Sequence, residues 1–151
     1  MTNGAAWGVL VLRIVLGLVF IMHGYLAYAV LGPRGAAALV ARMGFPTNTV
    51  LPLAWYLIVV HLVGGALIIV GLWTRVAAVM NIPIMASAVA LLQWPQGFYM
   101  KAVVVDTAGG RAMPIGYEFS LLVLACTVAI ALIGAGPFSI DRARTASGRR
   151  R

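Results

Sequence analysis

Few side chains in this sequence can do chemistry, and most of those lie inside or at the ends of long apolar runs. His23, His61, Gln93 and Glu118 can donate, accept or carry protons, and Arg13 and Asn81 form a second, smaller set. Imidazole titrates near neutral pH, so His23 and His61 with Glu118 would suit coupled proton transfer or the binding of a quinone. The plainer reading is interhelical hydrogen bonding that sets bundle register, typically ~0.6 kcal/mol per contact. Bis-histidine ligation of haem would need both rings at matched depth, and nothing else marks a haem pocket. Two His and one Glu can form a facial triad, but no pair of histidines at i, i+4 supports it, and no metal site is expected. Cys126 stands alone among Leu, Ala and Val; a thiol in apolar surroundings is inert, and any dithiol chemistry would need a partner's cysteines.

The elements that must position these groups follow from composition. Of 151 residues, 63% are hydrophobic and 9% charged, against roughly a quarter charged in soluble domains. A water-soluble fold would expose large apolar patches, and Gly, Pro and Cys contents exclude collagen-like, disordered and disulfide-rich classes. Crossing the hydrocarbon core takes about 20 apolar residues, and Trp7–Leu31, Leu53–Trp73, Val76–Trp94 and Tyr117–Ala135 qualify. They lack the alternation of a lipid-facing barrel strand, and lipid offers the backbone no outside partners. The expectation is all-α: one integral membrane four-helix bundle with both termini cytoplasmic and no separate soluble domain. Pro83 should kink the third span. Thr74 and Arg75 alone separate the second and third spans, a tight hairpin. The long connections Gly32–Pro52 and Pro95–Gly116 share the opposite side, and Lys101–Val105 with Asp106–Gly110 carries a weak hairpin signal.

Six of the fourteen charged residues fall in the last eleven, so residues 136–151 read as a basic tail that stays cytoplasmic. Four crossings return the N-terminus to the same side, as expected of a multi-pass protein in a bacterial or archaeal plasma (inner) membrane. A nucleic-acid role for the tail is disfavoured directly after a span. Trp7 and Trp73 fall at the inner ends and Trp55 and Trp94 at the outer ends, where amphipathic rings anchor. Ala27-Tyr-Ala29 resembles a signal-peptide cleavage site, but no basic residue precedes the apolar run and Arg13 interrupts it, so the first span is expected to be retained.

Depth then groups the polar residues. At ~1.5 Å per residue, His23 and His61 each lie ~12 Å from the outer boundary. Gln93 ends the third span and Glu118 begins the fourth at that face, so four helices bring polar groups to the outer half. Arg13 and Asn81 lie ~8–9 Å from the inner boundary. Arg13, Gly17, Phe20 and Gly24 share a helical stripe suited to close contact. Arg13 either snorkels to headgroups or is buried and holds a carboxylate, a headgroup or a quinone oxygen. Gly64-Gly65 and Gly71 read as a packing face. No phosphate-cradling loop, nucleophile elbow or Cys-x-x-Cys is present.

With spans and polar positions in hand, the sequence resembles the DoxX family of small four-helix membrane proteins. The matching segments are Leu12–Gly24, Gly64–Arg75, Trp94–Phe98 and Gly116–Phe119, in family order. The weight rests on Arg13, His23, the Gly71-Leu-Trp-Thr-Arg75 turn, Trp94-Pro-Gln-Gly-Phe98 and Tyr117-Glu118. The sequence departs from the family pattern where His61 lies in the region of a common acidic residue, and where Gln93 replaces a frequent histidine. The resemblance implies association with membrane oxidoreductase assemblies, among them a thiosulfate:quinone oxidoreductase, and with thiol and oxidative-stress defence.

The leading expectation is a redox-associated subunit that handles quinone or a small redox-active ligand near the outer leaflet, with Arg13, His23, His61, Gln93 and Glu118 lining or supporting the site. Beyond the lipid bilayer, its expected partners are other membrane or redox subunits, or further copies of itself. The alternative is a non-catalytic accessory or assembly subunit of a larger respiratory or photosynthetic complex. A transporter or channel would call for an internal repeat or broken midplane helices, and the two halves show no repeat.

Overall fold

The structure, a computed structural model, describes residues 2–99 and 116–148. Among these residues the chain is all helix, with no strand. The possible hairpin at Lys101–Gly110 lies outside the described residues. Helix α1 spans Asn3–Val30, α3 Thr47–Val70 and α4 Thr74–Gln96, and all three are long and apolar enough to cross a membrane. Helix α5, Glu118–Ile133, has 16 residues and rises about 24 Å. Two further helices, α2 (Gly32–Ala41) and α6 (Ile140–Gly148), flank this bundle. Helix α1 packs on α3, α3 on α4 and α4 on α5, while α1 and α5 touch only lightly.

The outward faces carry Val11, Val15, Leu18, Val59, Val63, Val76, Leu122 and Leu132, all exposed. Such a surface is stable against acyl chains and not against water. The buried face of α1 contains Arg13, Gly17, Phe20 and Gly24, the stripe that the spacing predicts. Glycine permits the closest approach here. A Cβ on Gly17 would sit 2.6 Å from the carbonyl oxygen of Gly65, and one on Gly65 would sit 2.7 Å from that of Gly17. The two backbones therefore touch at a reciprocal glycine pair, which maximises dispersion where no hydrophobic effect acts between helices.

Aromatic residues collect at both ends. Trp7 meets Phe138 at 4.8 Å at the end holding the termini, while Tyr28 meets Trp55 at 6.2 Å and Trp94 stacks on Tyr117 at 4.8 Å at the other. These levels match the interface positions expected from the four tryptophans. Helix α4 stays helical through Pro83, and its irregularity comes later, as a π-helical segment at Ala88–Gln93. A second π-helical segment, Leu26–Val30, ends α1 at the same level.

The structure refines three connecting segments, one of them a correction to the position of the α3–α4 turn. The long Gly32–Pro52 connection contains α2, which buries Ala36, Ala37 and Val40 against Ala27, Ala54 and Ile58. The i, i+3, i+4 signal was present in Ala36-Ala-Ala-Leu-Val40, but Gly32 and Gly44, both at positive φ, dominate the composition around it. The α3–α4 turn lies at Gly71–Trp73, and Thr74 and Arg75 already belong to α4. At the start of the basic C-terminal segment, Gly134 and Gly136, at positive φ, turn the chain back beneath the bundle into α6.

Overpacking the glycine contact tests this arrangement. Gly65→Leu should cost about 1–3 kcal/mol or more, read as a lower melting temperature in detergent. Gly8→Ala, at a position with nothing within 4 Å of an added Cβ, should leave it unchanged.

Candidate functional site

Polar residues separate into two clusters at opposite ends of the bundle. The first is built around Arg13, which is 1% exposed. Its Nε donates to the Ile68 carbonyl at 2.9 Å and Nη2 to Ile69 at 2.7 Å. Its Nη1 donates to Ala135 at 2.5 Å and Phe138 at 2.8 Å. Ile68 and Ile69 lie in the last turn of α3, where carbonyls have no intrahelical donor. One guanidinium, with five N–H groups in a planar fork, thus caps α3 and ties it to the segment leaving α5. Gly71, at φ 73°, ends α3, and its N–H donates to Leu67. A Cβ there would collide with the guanidinium and with Ser139.

Asp141 completes the same junction from the other side of the turn. Its carboxylate accepts from Trp73 N at 2.9 Å and Thr74 N at 3.2 Å, the open N-terminus of α4. Its own N–H donates to the Gly71 carbonyl at 2.9 Å. Trp73 is held at φ 46°, a left-handed conformation unusual for a non-glycine residue, which costs roughly 1–2 kcal/mol. The carboxylate bond to its N–H offsets that cost. Arg13 therefore neither snorkels nor offers its donors to a ligand; it closes backbone.

The second cluster surrounds a cavity of about 170 Å³ near the other end of the bundle. His23 from α1, His61 from α3 and Gln93 from α4 all line it. Ser120 and Phe119 line it from α5, whereas Glu118 precedes them and is not among the lining residues. Glu118 N donates instead to the Phe98 carbonyl at 3.1 Å, anchoring the start of α5. Arg13 is not a lining residue either. Sequence depth thus brings three of the five candidates together, and separates Arg13 to the far end and Glu118 to a neighbouring position.

His61 is 4% exposed, packs on the Phe20 ring at 5.0 Å, and its Nδ1 has no hydrogen-bond partner. The Gln93 Oε1 is likewise buried and unpartnered. His23 stacks on Phe119 at 6.4 Å, and its Nδ1 lies 2.8 Å from the Val19 carbonyl. A carbonyl accepts only, so Nδ1 carries the proton and Nε2 of a neutral ring is left as an acceptor. Asn81, on α4, donates to the Ala77 carbonyl at 2.9 Å and the Val60 carbonyl at 3.4 Å, and leaves its buried Oδ1 unpartnered. Asn81 therefore joins the α3 backbone one residue before His61, and not Arg13.

Both π-helical segments border this cavity. Leu26 and Ala27 line it from the first, and Ala88, Leu92 and Gln93 from the second. A π turn widens a helix locally and re-aims its side chains, and such turns recur at functional sites. Ser120 and Phe119 were not among the residues expected from the sequence to line a site. Ser120, Val123, Thr127 and Ile130 are the buried residues of α5, and that helical spacing was the available signal. Among the described residues no group of three or more His, Cys, Asp or Glu could hold a metal ion.

Long apolar helices, a lipid-compatible surface and interface aromatics define a helical membrane protein. The DoxX family model matches residues 8–94, more than half of the chain, and the protein belongs to the DoxX family. It is 25% identical over 134 residues, covering 89% of this chain and 84% of the relative, to a Bacillus subtilis (strain 168) protein named "Putative oxidoreductase CatD". No solved structure matches the chain at a significant level.

Replacing Arg13 by Met should lower stability by at least ~2 kcal/mol, because buried carbonyls left without donors cost about 1–3 kcal/mol each. Asp141→Ala should cost about 0.5–2 kcal/mol, the usual range for a lost N-cap. Thermal unfolding in detergent reads both, and an unchanged Arg13→Met melting temperature would contradict the capping role.

Proposed function

We propose that this DoxX protein is a redox-associated membrane subunit that takes a quinone or comparable small redox-active ring into the cavity between α1, α3, α4 and α5. The observation that carries the reading is the convergence of His23, His61 and Gln93, from three helices, on one otherwise apolar cavity. A dry cavity of ~150 Å³ accommodates a benzene ring, so about 170 Å³ suits a single six-membered ring. His61 Nδ1, unpartnered, donates to an oxygen at the ring edge when it carries the ring proton, and Gln93 Oε1, also unpartnered, accepts from the hydroxyl of the reduced ring. The exposed lining residues His23, Leu26, Leu39 and Phe119 mark the path to lipid, from which an apolar ligand would enter. The relative's oxidoreductase name supports the redox part of this reading.

In the same proposal the protein is a multi-pass protein of the plasma (inner) membrane with the Arg13–Asp141 end, and hence both termini, in the cytoplasm. Arg75, Arg142 and Arg144 lie at that end, as the positive-inside rule requires. A C-terminal green fluorescent protein fusion should fluoresce and a C-terminal alkaline phosphatase fusion should be inactive; the reverse pattern would invert the topology.

Ligand binding is tested by purification in mild detergent, visible spectra, solvent extraction of bound small molecules, and titration with a short-chain quinone. Wild-type protein should bind quinone, and His61→Leu and Gln93→Leu should each weaken it about tenfold, equivalent to ~1.4 kcal/mol. Unaltered affinity in both variants would remove the cavity as the site. Recovery of stoichiometric protein partners with no quinone bound would favour the accessory-subunit role instead.

A further inference from the structure

A larger cavity, about 630 Å³, lies at the opposite end of the bundle, between the α3–α4 turn, the end of α5 and the start of α6. The quinone reading makes no use of it. Two arginines line it, Arg75 from the first turn of α4 and Arg142 from the first turn of α6, together with one acid, Asp141. Both carboxylate oxygens of Asp141 are engaged by the Trp73 and Thr74 N–H groups, so the acid is committed to backbone. Arg75 donates one N–H to the Leu132 carbonyl, leaving most of its five donors available. The Arg142 side chain makes no hydrogen bond within the described residues.

The walls of this cavity are not uniformly polar. Val76, Ile133 and Pro137 line it beside the arginines. Trp73, 64% exposed, stands at its rim, and indoles settle at headgroup level. Leu132, 74% exposed, directs the neighbouring surface toward hydrocarbon. The cavity therefore spans the boundary between polar headgroups and acyl chains, with cations on one side and aliphatic wall on the other.

The geometry points to a binding site for the phosphate-bearing headgroup of an anionic phospholipid, held by Arg75 and Arg142. Guanidinium forks match phosphate oxygens in bidentate fashion, and basic pockets beside transmembrane helices bind anionic headgroups in this way. A free phosphate shares that chemistry. A single inorganic ion, however, would fill little of 630 Å³ and would gain nothing from Val76, Ile133 and Pro137. A phosphodiester with its glycerol carbons uses both parts of the cavity. Bound there, the lipid would bridge α4 and α6, beside the junction that Arg13 and Asp141 close from within. The inference stands independently of the quinone reading, because the two cavities share no lining residue.

The test uses delipidated full-length protein in a neutral detergent, with melting temperature as the readout, since a ligand that binds only the folded state raises it. Phosphatidylglycerol should raise the melting temperature by several degrees, whereas phosphatidylcholine and inorganic phosphate at matched concentration should not. The double variant Arg75→Gln/Arg142→Gln should lose at least half of the shift. Arg142→Gln alone should keep the lipid-free melting temperature and still reduce the shift, which separates lost binding from lost folding. Arg34→Gln, on α2 at the other end, should keep the full response. Equal shifts with phosphatidylcholine, or a full shift in the double variant, would overturn the proposal. A phosphate shift as large as that of phosphatidylglycerol would overturn the lipid assignment in favour of a free anion.

Discussion

Backbone carbonyls that lipid cannot satisfy set the main constraint on this protein, and Arg13 answers it. Helix α3 ends against α1 and the segment after α5, and its last carbonyls have no donor within the helix. The guanidinium of Arg13 reaches Ile68 and Ile69 on α3 and Ala135 and Phe138 after α5. Asp141 does the complementary task for the amides that open α4. A cation from the first span and an anion from the last helix thus stabilise the two sides of one three-residue turn. Both ends of the chain are committed to a junction through which α3, α4, α5 and α6 are held in register.

That commitment frees the other end of the bundle to be less regular. The termini-side end is closed by charge-assisted hydrogen bonds and by the Gly17–Gly65 contact about one turn above. Toward the opposite end α1 and α4 each widen into a π-helical segment. A cavity with unpartnered polar atoms is tolerable only where the remaining packing over-determines the fold. The division is physical: one end commits Arg13 and Asp141 to backbone groups, and the other leaves His61 and Gln93 with unpartnered atoms beside open space. A small ligand reaching that space would meet hydrogen-bonding groups whose partners the protein itself does not provide.

Much of this was legible in the sequence, because the relevant signals are local. Continuous apolar runs of spanning length locate α1, α3 and α4, and an arginine, two glycines and a phenylalanine at helical spacing locate the buried stripe of α1. Depth counting placed His23, His61 and Gln93 in the same outer half of the bundle, and one cavity is lined by all three. The same counting was insufficient for Glu118, which begins α5 at the right height yet does not line the cavity, because height carries no information on the direction a side chain takes around its helix. It was insufficient for Asn81 too, whose side chain meets the α3 backbone beside His61 and not the Arg13 junction.

Sequence therefore settles that the chain is a helical membrane protein and which residues of α1 face inward, since helix periodicity and the hydrogen-bond demand of a backbone in lipid are properties of each segment alone. The tertiary structure decides what those inward residues do. Arg13 read equally well as a snorkelling cation or a ligand-binding one, because its actual partners are carbonyl oxygens, which every residue carries and no residue type announces. Those carbonyls become partners only when segments 55 to 125 positions away are folded against it. The same holds for the basic C-terminal segment, which comes to lie alongside the first turn of α4 only once Gly134 and Gly136 turn it back beneath the bundle.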